Sequence, residues 1–299
     1  MNSIALNGLL GSHPLGALAS FGLLRLISDK DPTARLYFEM QDDWIARIES
    51  DAISGEDTLI AMLVDWINSE ELASAMDWAD DARVQPAAYR DMLRGAIAEG
   101  RRARMDMMSA LVADGATDAQ KGLIKPSAFY MVSGQQSFLG GLREVLAQAR
   151  KSPEAIVREA IFGPWRYQVR THSLGWDPNT ERLYALRSRA PTSEKPSCVA
   201  GAVLLASWAL PMMPGLSQEG RALTIGFYRR QKAQIYSWPI FSIPIGVGDL
   251  RTLLQVGHQG WINSGKRRFG IEAIFESERF EFGQGYAVLR PAHVVEGVP

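Results

Sequence analysis

The 299-residue sequence contains one cysteine, Cys198. That excludes an internal disulfide and every multi-cysteine zinc module. Histidine is nearly as scarce: His13, His172, His258 and His293 share no metal-ligand spacing. No apolar run reaches the length needed to span a bilayer. The opening stretch MNSIALNGLLGSHPLG has no basic region ahead of its apolar residues, so it does not read as a secretory signal. Lysine is rare as well, with 7 Lys against 25 Arg. Hydrophobic residues make up 46% and charged residues 22%, the balance of an ordinary globular chain with a core of its own.

The net charge of −1 conceals an uneven distribution. Met1–Gln120 holds 20 acidic and 10 basic residues, a balance of −10, whereas Lys121–Pro299 holds 13 and 22, a balance of +9. We therefore expect an acidic N-terminal α/β portion over 1–120 and a basic C-terminal α+β portion over 121–299, either as two units or as one continuous domain. The acidic part would face protein and the basic part a polyanion. Arginine's planar fork suits phosphates and base edges better than a point charge does. A GC-rich genome would produce the same arginine excess.

The pattern predicts a mixed α+β fold, with several short antiparallel strands and hairpins beside long amphipathic helices. Pro14 opens a helix, Leu15–Ser28, that is apolar on nearly every side and so belongs inside. RLYFEM and WIARIE alternate around Gln41–Asp43, which reads as a hairpin. Pro86 starts a helix predicted to run to about Val112. On it Arg90, Arg94, Arg101 and Arg104 share an arc of roughly 80°, a stripe suited to phosphates or simply a solvated edge. A strand is expected at Ala128–Ser133 and a helix from Gln135 to Lys151. Leu223–Tyr228 and Gln234–Trp238 flank a basic tip, RRQKA. A short helix is expected at Gly248–Val256, and the last strands at Gly270–Ser277, Arg279–Phe282 and Tyr286–Leu289.

Little in the sequence suggests catalysis. Gly260-Trp-Ile-Asn263-Ser-Gly265-Lys266 matches the first seven positions of a phosphate-binding loop, but Arg267 stands where Ser or Thr should hold magnesium. A helix is also expected before it and a strand after it, the reverse of the order that aims a helix N-terminus at phosphate. No Gly-x-Ser-x-Gly elbow occurs. Cys198 reads as a small buried thiol, and His13 as a residue flanking a helix start. Glu276 and Glu278 alternate on a strand and are expected to face solvent. No catalytic residue, cofactor or metal is nominated.

Three basic clusters lie beside turns, glycines or aromatics: Arg229, Arg230 and Lys232; Lys266, Arg267 and Arg268 with Asn263 just before them; and Arg166 and Arg170 around Trp165 and Tyr167. Such groups can sit on a phosphate backbone, and aromatics beside arginines can stack on exposed bases. Gln135 and Gln136, after Gly134, are candidate base-edge contacts.

Four stretches resemble a known family when taken together. They are LNGLLGSHPLGALASFGLLRLI (Leu6–Ile27), SLGWDPNTERLYALR (Ser173–Arg187), LTIGFYRR (Leu223–Arg230) and SWPIFSIPI (Ser237–Ile245). They look like the large-subunit-like proteins of CRISPR type I-G (formerly type U) effector complexes. The resemblance implies a non-catalytic, cytoplasmic subunit of an RNA-guided surveillance complex. Its partners would be guide RNA, target double-stranded DNA, other effector-complex subunits and a separate helicase-nuclease, with no membrane involved. At 299 residues the chain is short for a large subunit. The alternatives are a guide-RNA backbone subunit with Leu223–Trp238 as its thumb, an enzyme acting on a small molecule, and a purely structural adaptor.

Overall fold

In the computed structural model, residues 2–132, 136–180, 197–282 and 286–295 are described. The chain runs β1 (Asn2–Leu10), α1 (Pro14–Ser28), β2 (Arg35–Met40), β3 (Trp44–Ser50), α2 (Glu56–Asn68), α3 (Glu70–Met76), α4 (Pro86–Ala98), α5 (Arg102–Leu111), β4 (Val112–Thr117) and β5 (Ile124–Pro126). It continues with α6 (Phe138–Ala149), α7 (Pro153–Phe162), α8 (Ala200–Ala209), β6 (Gly215–Gln218), β7 (Arg221–Thr224), β8 (Phe227–Arg230), β9 (Ala233–Phe241), α9 (Val247–Ser264), β10 (Ile271–Phe282), β11 (Tyr286–Leu289) and β12 (His293–Val294). The fold is mixed α+β, as the sequence pattern predicts.

Two antiparallel sheets carry the architecture. The first has the order β1-β3-β2; the second has the order β11-β10-β9-β8, with β12 also paired to β10. Leu36 of β2 exchanges backbone hydrogen bonds of 2.9 and 3.0 Å with Ile245, just beyond β9, and Phe38 meets Phe241 edge-on. Helix α1 is buried from Pro14 to Ile27, and α8 along its whole length. They lie against each other so closely that a Cβ on Gly22 would come within 1.8 Å of the Leu205 carbonyl oxygen. The same Cβ would come within 3.1 Å of Ala209 N, so the approach is of backbone to backbone. One contiguous core takes residues from Ile4 to Leu289. The charge division near residue 120 falls between β4 and β5, which pair with each other.

Several elements depart from the sequence pattern. The strand expected at Leu223–Tyr228 is divided: Leu223 and Thr224 end β7, which pairs with β6, and Phe227 and Tyr228 open β8, which pairs with β9. The helix expected over Pro86–Val112 is two helices. Gly100, at φ +65°, ends α4: Arg101 N donates to Ala96 O and Gly100 N to Ile97 O, the paired bonds of a left-handed helix stop. Residues 128–132 form no strand. Their carbonyls are claimed from elsewhere, Ala128 O by Arg279 Nε and Phe129 O by the Trp176 indole. The short helix near Gly248 extends to Ser264, with a kink at Gly257. The two strands expected after Gly270 are one strand, β10. Helix α6 starts at Phe138, where the Ser137 hydroxyl accepts from Gly140 N.

Two glycine substitutions should have opposite signs. Gly22→Ala places a methyl group against a backbone carbonyl and should lower unfolding free energy by about 1–3 kcal/mol. Gly95→Ala, on α4 with nothing within 4 Å of the new methyl, should raise it by up to about 1 kcal/mol. Urea denaturation of both variants tests the pair; a stabilised Gly22→Ala would refute the close contact.

Candidate nucleic-acid interface

The arginine stripe does not form as a single surface, because the helix meant to carry it breaks. Arg90 and Arg94 stay on α4, whereas Arg101 precedes α5 and Arg104 lies on it. Most of these guanidinium groups also meet acidic neighbours. Arg90 lies 3.6 Å from Asp114, Arg94 lies 2.8 Å from Asp91, and Arg101 pairs with Glu99. Arg104 Nε donates to Ser74 O at 3.1 Å. Exposed pairs of this kind add little stability, but they occupy the charge.

Several basic residues of the second half differ, although Arg158, Arg230, Arg279 and Arg290 do meet acidic groups. Arg229 and Lys232 are exposed, and neither enters an ion pair among the described residues. Arg229 and Arg230 belong to β8 itself, so the tip of the hairpin is only Gln231 and Lys232, with Gln231 at φ +55°. Arg267 and Arg268 are likewise exposed without an acidic partner among the described residues, on a 3₁₀ turn (Lys266–Phe269) between α9 and β10. Most of the Gly260–Lys266 motif is therefore helix, since Gly260–Ser264 form the end of α9, and a strand follows it. Asn263 accepts a hydrogen bond from Gln259 Nε2 at 2.7 Å. Arg166 and Arg170 project from the segment after α7. Gln136 is half-buried just ahead of α6; Gln135 lies outside the described residues.

These clusters do not converge. The β8–β9 tip lies at the Ala233 end of β9, and the Lys266–Phe269 turn at its Phe241 end, where Phe241 pairs with Ile271. At the rise of an extended strand those ends are roughly 26 Å apart. That separation suits phosphates several nucleotides apart on one chain better than a small anion.

The most constrained polar group is one that the sequence reading places in solvent. Glu276 is buried, its side chain only 1% exposed. Strand alternation puts Tyr228, Arg230, Ser237 and Glu276 on one face of the second sheet, and Phe227, Tyr236, Trp238 and Phe275 on the other. The aromatic face packs inward, and the Trp238 indole donates to Gly11 O at 2.7 Å. The polar face is covered by α9, which brings His258 onto Tyr228 in a parallel stack at 4.0 Å. Glu276 accepts from Arg230 Nη2 at 2.6 Å and from the Tyr228 hydroxyl. His258 Nδ1 is 3.3 Å from Oε1, and His293 Nε2, from β12, is 3.5 Å from Oε2. Glu278, two residues on, is half-buried within reach of Arg290.

This cluster is a cross-brace rather than a charge-relay triad. Ser237 Oγ lies 3.1 Å from His258 Nδ1, the same nitrogen that faces Glu276. A nucleophile–base–acid relay needs the serine and the carboxylate on opposite ring nitrogens. Ser237 Oγ also donates to Phe275 O. Burial pushes the Tyr228 hydroxyl pKa up, with Glu276 adding to the shift. Burial likewise pushes the Cys198 thiol up, away from reactivity. Among the described residues no group of three or more His, Cys, Asp or Glu is disposed to hold a metal ion. No local motif marks the Glu276 cluster, since its members come from four separate strands and a helix. The chain matches no protein-family model, and no curated protein matches it significantly.

The cluster makes stability depend on pH. Burial lowers the His258 pKa below its ordinary 6.5, opposed by Glu276 and aided by Arg230. The unfolded chain then takes up the proton at higher pH than the folded chain. The contribution is complete above the ordinary histidine value and fades as the pH falls through and below it. The urea midpoint should therefore drop between about pH 7.5 and about pH 5.5, and His258→Gln should flatten that drop. Glu276→Gln should cost about 1.5–3 kcal/mol at neutral pH, because it weakens charge-assisted hydrogen bonds. An unchanged midpoint would remove the brace.

Proposed function

We propose that the chain is a non-catalytic subunit of a CRISPR type I RNA-guided surveillance complex, holding guide RNA and target duplex through its C-terminal half. The observation that carries this reading is a set of basic side chains in the C-terminal half that have no acidic partner among the described residues, beside others there, such as Arg158, Arg230, Arg279 and Arg290, that do. Arg90, Arg94 and Arg101 are paired with acidic neighbours. Arg166, Arg170, Arg229, Lys232, Arg267 and Arg268 are exposed and enter no ion pair among the described residues. Cations left without internal partners and spread along a surface are what a sugar–phosphate chain requires. Other effector-complex subunits would cover the acidic portion, and a separate helicase-nuclease would be recruited to the assembly. The resemblance of the four stretches named above supplies the kind of assembly. No helix among the described residues is long and apolar enough to cross a membrane.

A guide-RNA backbone subunit is the second reading. Its thumb would have to be the β8–β9 hairpin, yet β9 is held between β8 and β10 and the turn has two residues. That hairpin is part of a sheet, which favours the first reading.

Co-expression with neighbouring genes, followed by purification through this chain, tests the proposal. A guide RNA of fixed length should copurify with several other proteins, with this chain in one copy. Within that complex, Arg267→Gln with Arg268→Gln should weaken duplex binding and reduce its salt slope by about 1.8. Purification of the chain alone, free of RNA, would overturn the reading.

A further inference from the structure

The geometry points to a pocket for one unstacked nucleobase of a single-stranded polynucleotide, at the C-terminal end of α7. It rests on the nucleic-acid reading above and names the group that this part of the surface takes. The cavity measures about 460 Å³ and is lined by Asn7, Leu10, His13, Trp165, Tyr167 and Asn179, among others. That volume lies in the range of small-molecule sites.

Two aromatic rings form its walls. Trp165 and Tyr167 stand at 85° to each other, their centroids 6.4 Å apart. The Trp165 indole is fixed by a hydrogen bond from Nε1 to Ala160 O at 3.2 Å. It meets His13 edge-on as well, at 5.1 Å. Among the described residues no ring lies parallel on Trp165, the arrangement a stacked base would take.

Polar groups of mixed character surround the walls. His13 Nδ1 accepts from Gly16 N at the start of α1, which leaves the proton on Nε2. That Nε2 is buried, lacks a hydrogen-bond partner, and lies 3.4 Å from Asp177 Oδ1. Asn7 is exposed in the bulge of β1, where the register jumps from Leu6 to Leu10. Asn179 is exposed, and its Nδ2 donates to the Tyr167 hydroxyl at 2.8 Å. Two carboxamides, each donor and acceptor at once, match the mixed edge of a base rather than a simple anion or an apolar molecule.

The backbone is held in place for this arrangement. Glu159 Oε1 accepts from the amides of both Arg166 and Tyr167, at 2.7 and 3.0 Å. Tyr167 sits at φ +56°, a conformation that non-glycine residues rarely adopt. Such strain persists where neighbouring contacts enforce it, and it gathers at ligand sites. Arg166 and Arg170 stand exposed on either side of Tyr167, placed for the phosphates flanking an inserted base. A base drawn out of its stack and held between aromatic and amide groups is a general mode of single-strand recognition.

The test uses the purified full chain and a short single strand carrying 2-aminopurine, as RNA and as DNA of the same sequence. Binding followed by anisotropy should be accompanied by quenching of 2-aminopurine with at least one of the two. Trp165→Leu should weaken binding about tenfold and abolish the quench. Arg166→Gln with Arg170→Gln should reduce the salt slope by about 1.4 and keep the quench at saturation. Asn7→Ala, at an exposed position, should weaken binding with an unchanged unfolding midpoint, which guards against a misfolded Trp165 variant. No binding, binding without quench, or wild-type behaviour in both Trp165→Leu and Asn7→Ala would overturn the pocket. So would a nucleoside monophosphate that binds as tightly as the strand. A complex that copurifies with guide RNA but shows no quench removes the pocket alone; quench without copurification removes complex membership alone.

Discussion

A helix with no polar side has to be enclosed, and α1 sets that demand for the whole molecule. Its buried length is met by α8 on one side, by the first sheet on another, and by α9. The contact with α8 is governed by Gly22, where backbone meets backbone, so neither helix can roll or slide. Arg25, the one charge on that helix, is accommodated by giving it the Trp208 carbonyl at 2.9 Å and the Asp106 carboxylate at 2.8 Å. Burial lowers the Arg25 pKa while Asp106 opposes the change, so the pair holds a full charge close to the core at the cost of desolvation.

Charge placement follows from the same enclosure. The first half spends its arginines on its own acidic groups and carbonyls, and Arg143 and Arg150 from α6 and its C-terminus reach back to do likewise, bonding carbonyls of residues 67–80. The second half has fewer carboxylates, and one of them, Glu276, is withdrawn from the surface by Arg230, Tyr228 and two histidines. Of the hairpin's cations, that acid neutralises Arg230 alone and leaves Arg229 and Lys232 without an acidic partner among the described residues.

Much of the fold is readable from residue order, and the exceptions have identifiable causes. The α1 and α8 cores, the β2–β3 hairpin and the buried Cys198 all follow from periodicity and residue size. Gly100 carries the information that α4 stops, yet the apolar spacing runs through it, and the spacing alone predicts one long helix. Ala128–Met131 has strand-like composition, but side chains from Arg279 and Trp176 take its carbonyls. Those partners lie about 50 to 150 residues away, beyond any local pattern. Glu276 is the plainest case. Alternation gives the face correctly, but not that α9 covers it, since the helix is read as ending before Gly257 and His258. The segment from Trp165 to Arg170 was legible as aromatic and basic; the contribution of Asn7 and His13 required the fold.

The bond from the Trp238 indole to the Gly11 carbonyl joins residues 227 apart in the chain. Beside it, β10 and β11 complete the sheet that holds Trp238 only when the last part of the chain is available. The first sheet can form early, since Gly11 N donates to Trp44 O and β1 pairs with β3, but the turn at Gly11 meets Trp238 only when most of the polypeptide has left the ribosome. Until α8 emerges, much of the apolar surface of α1 lacks its main partner, and that delay lengthens the time during which it can make wrong contacts.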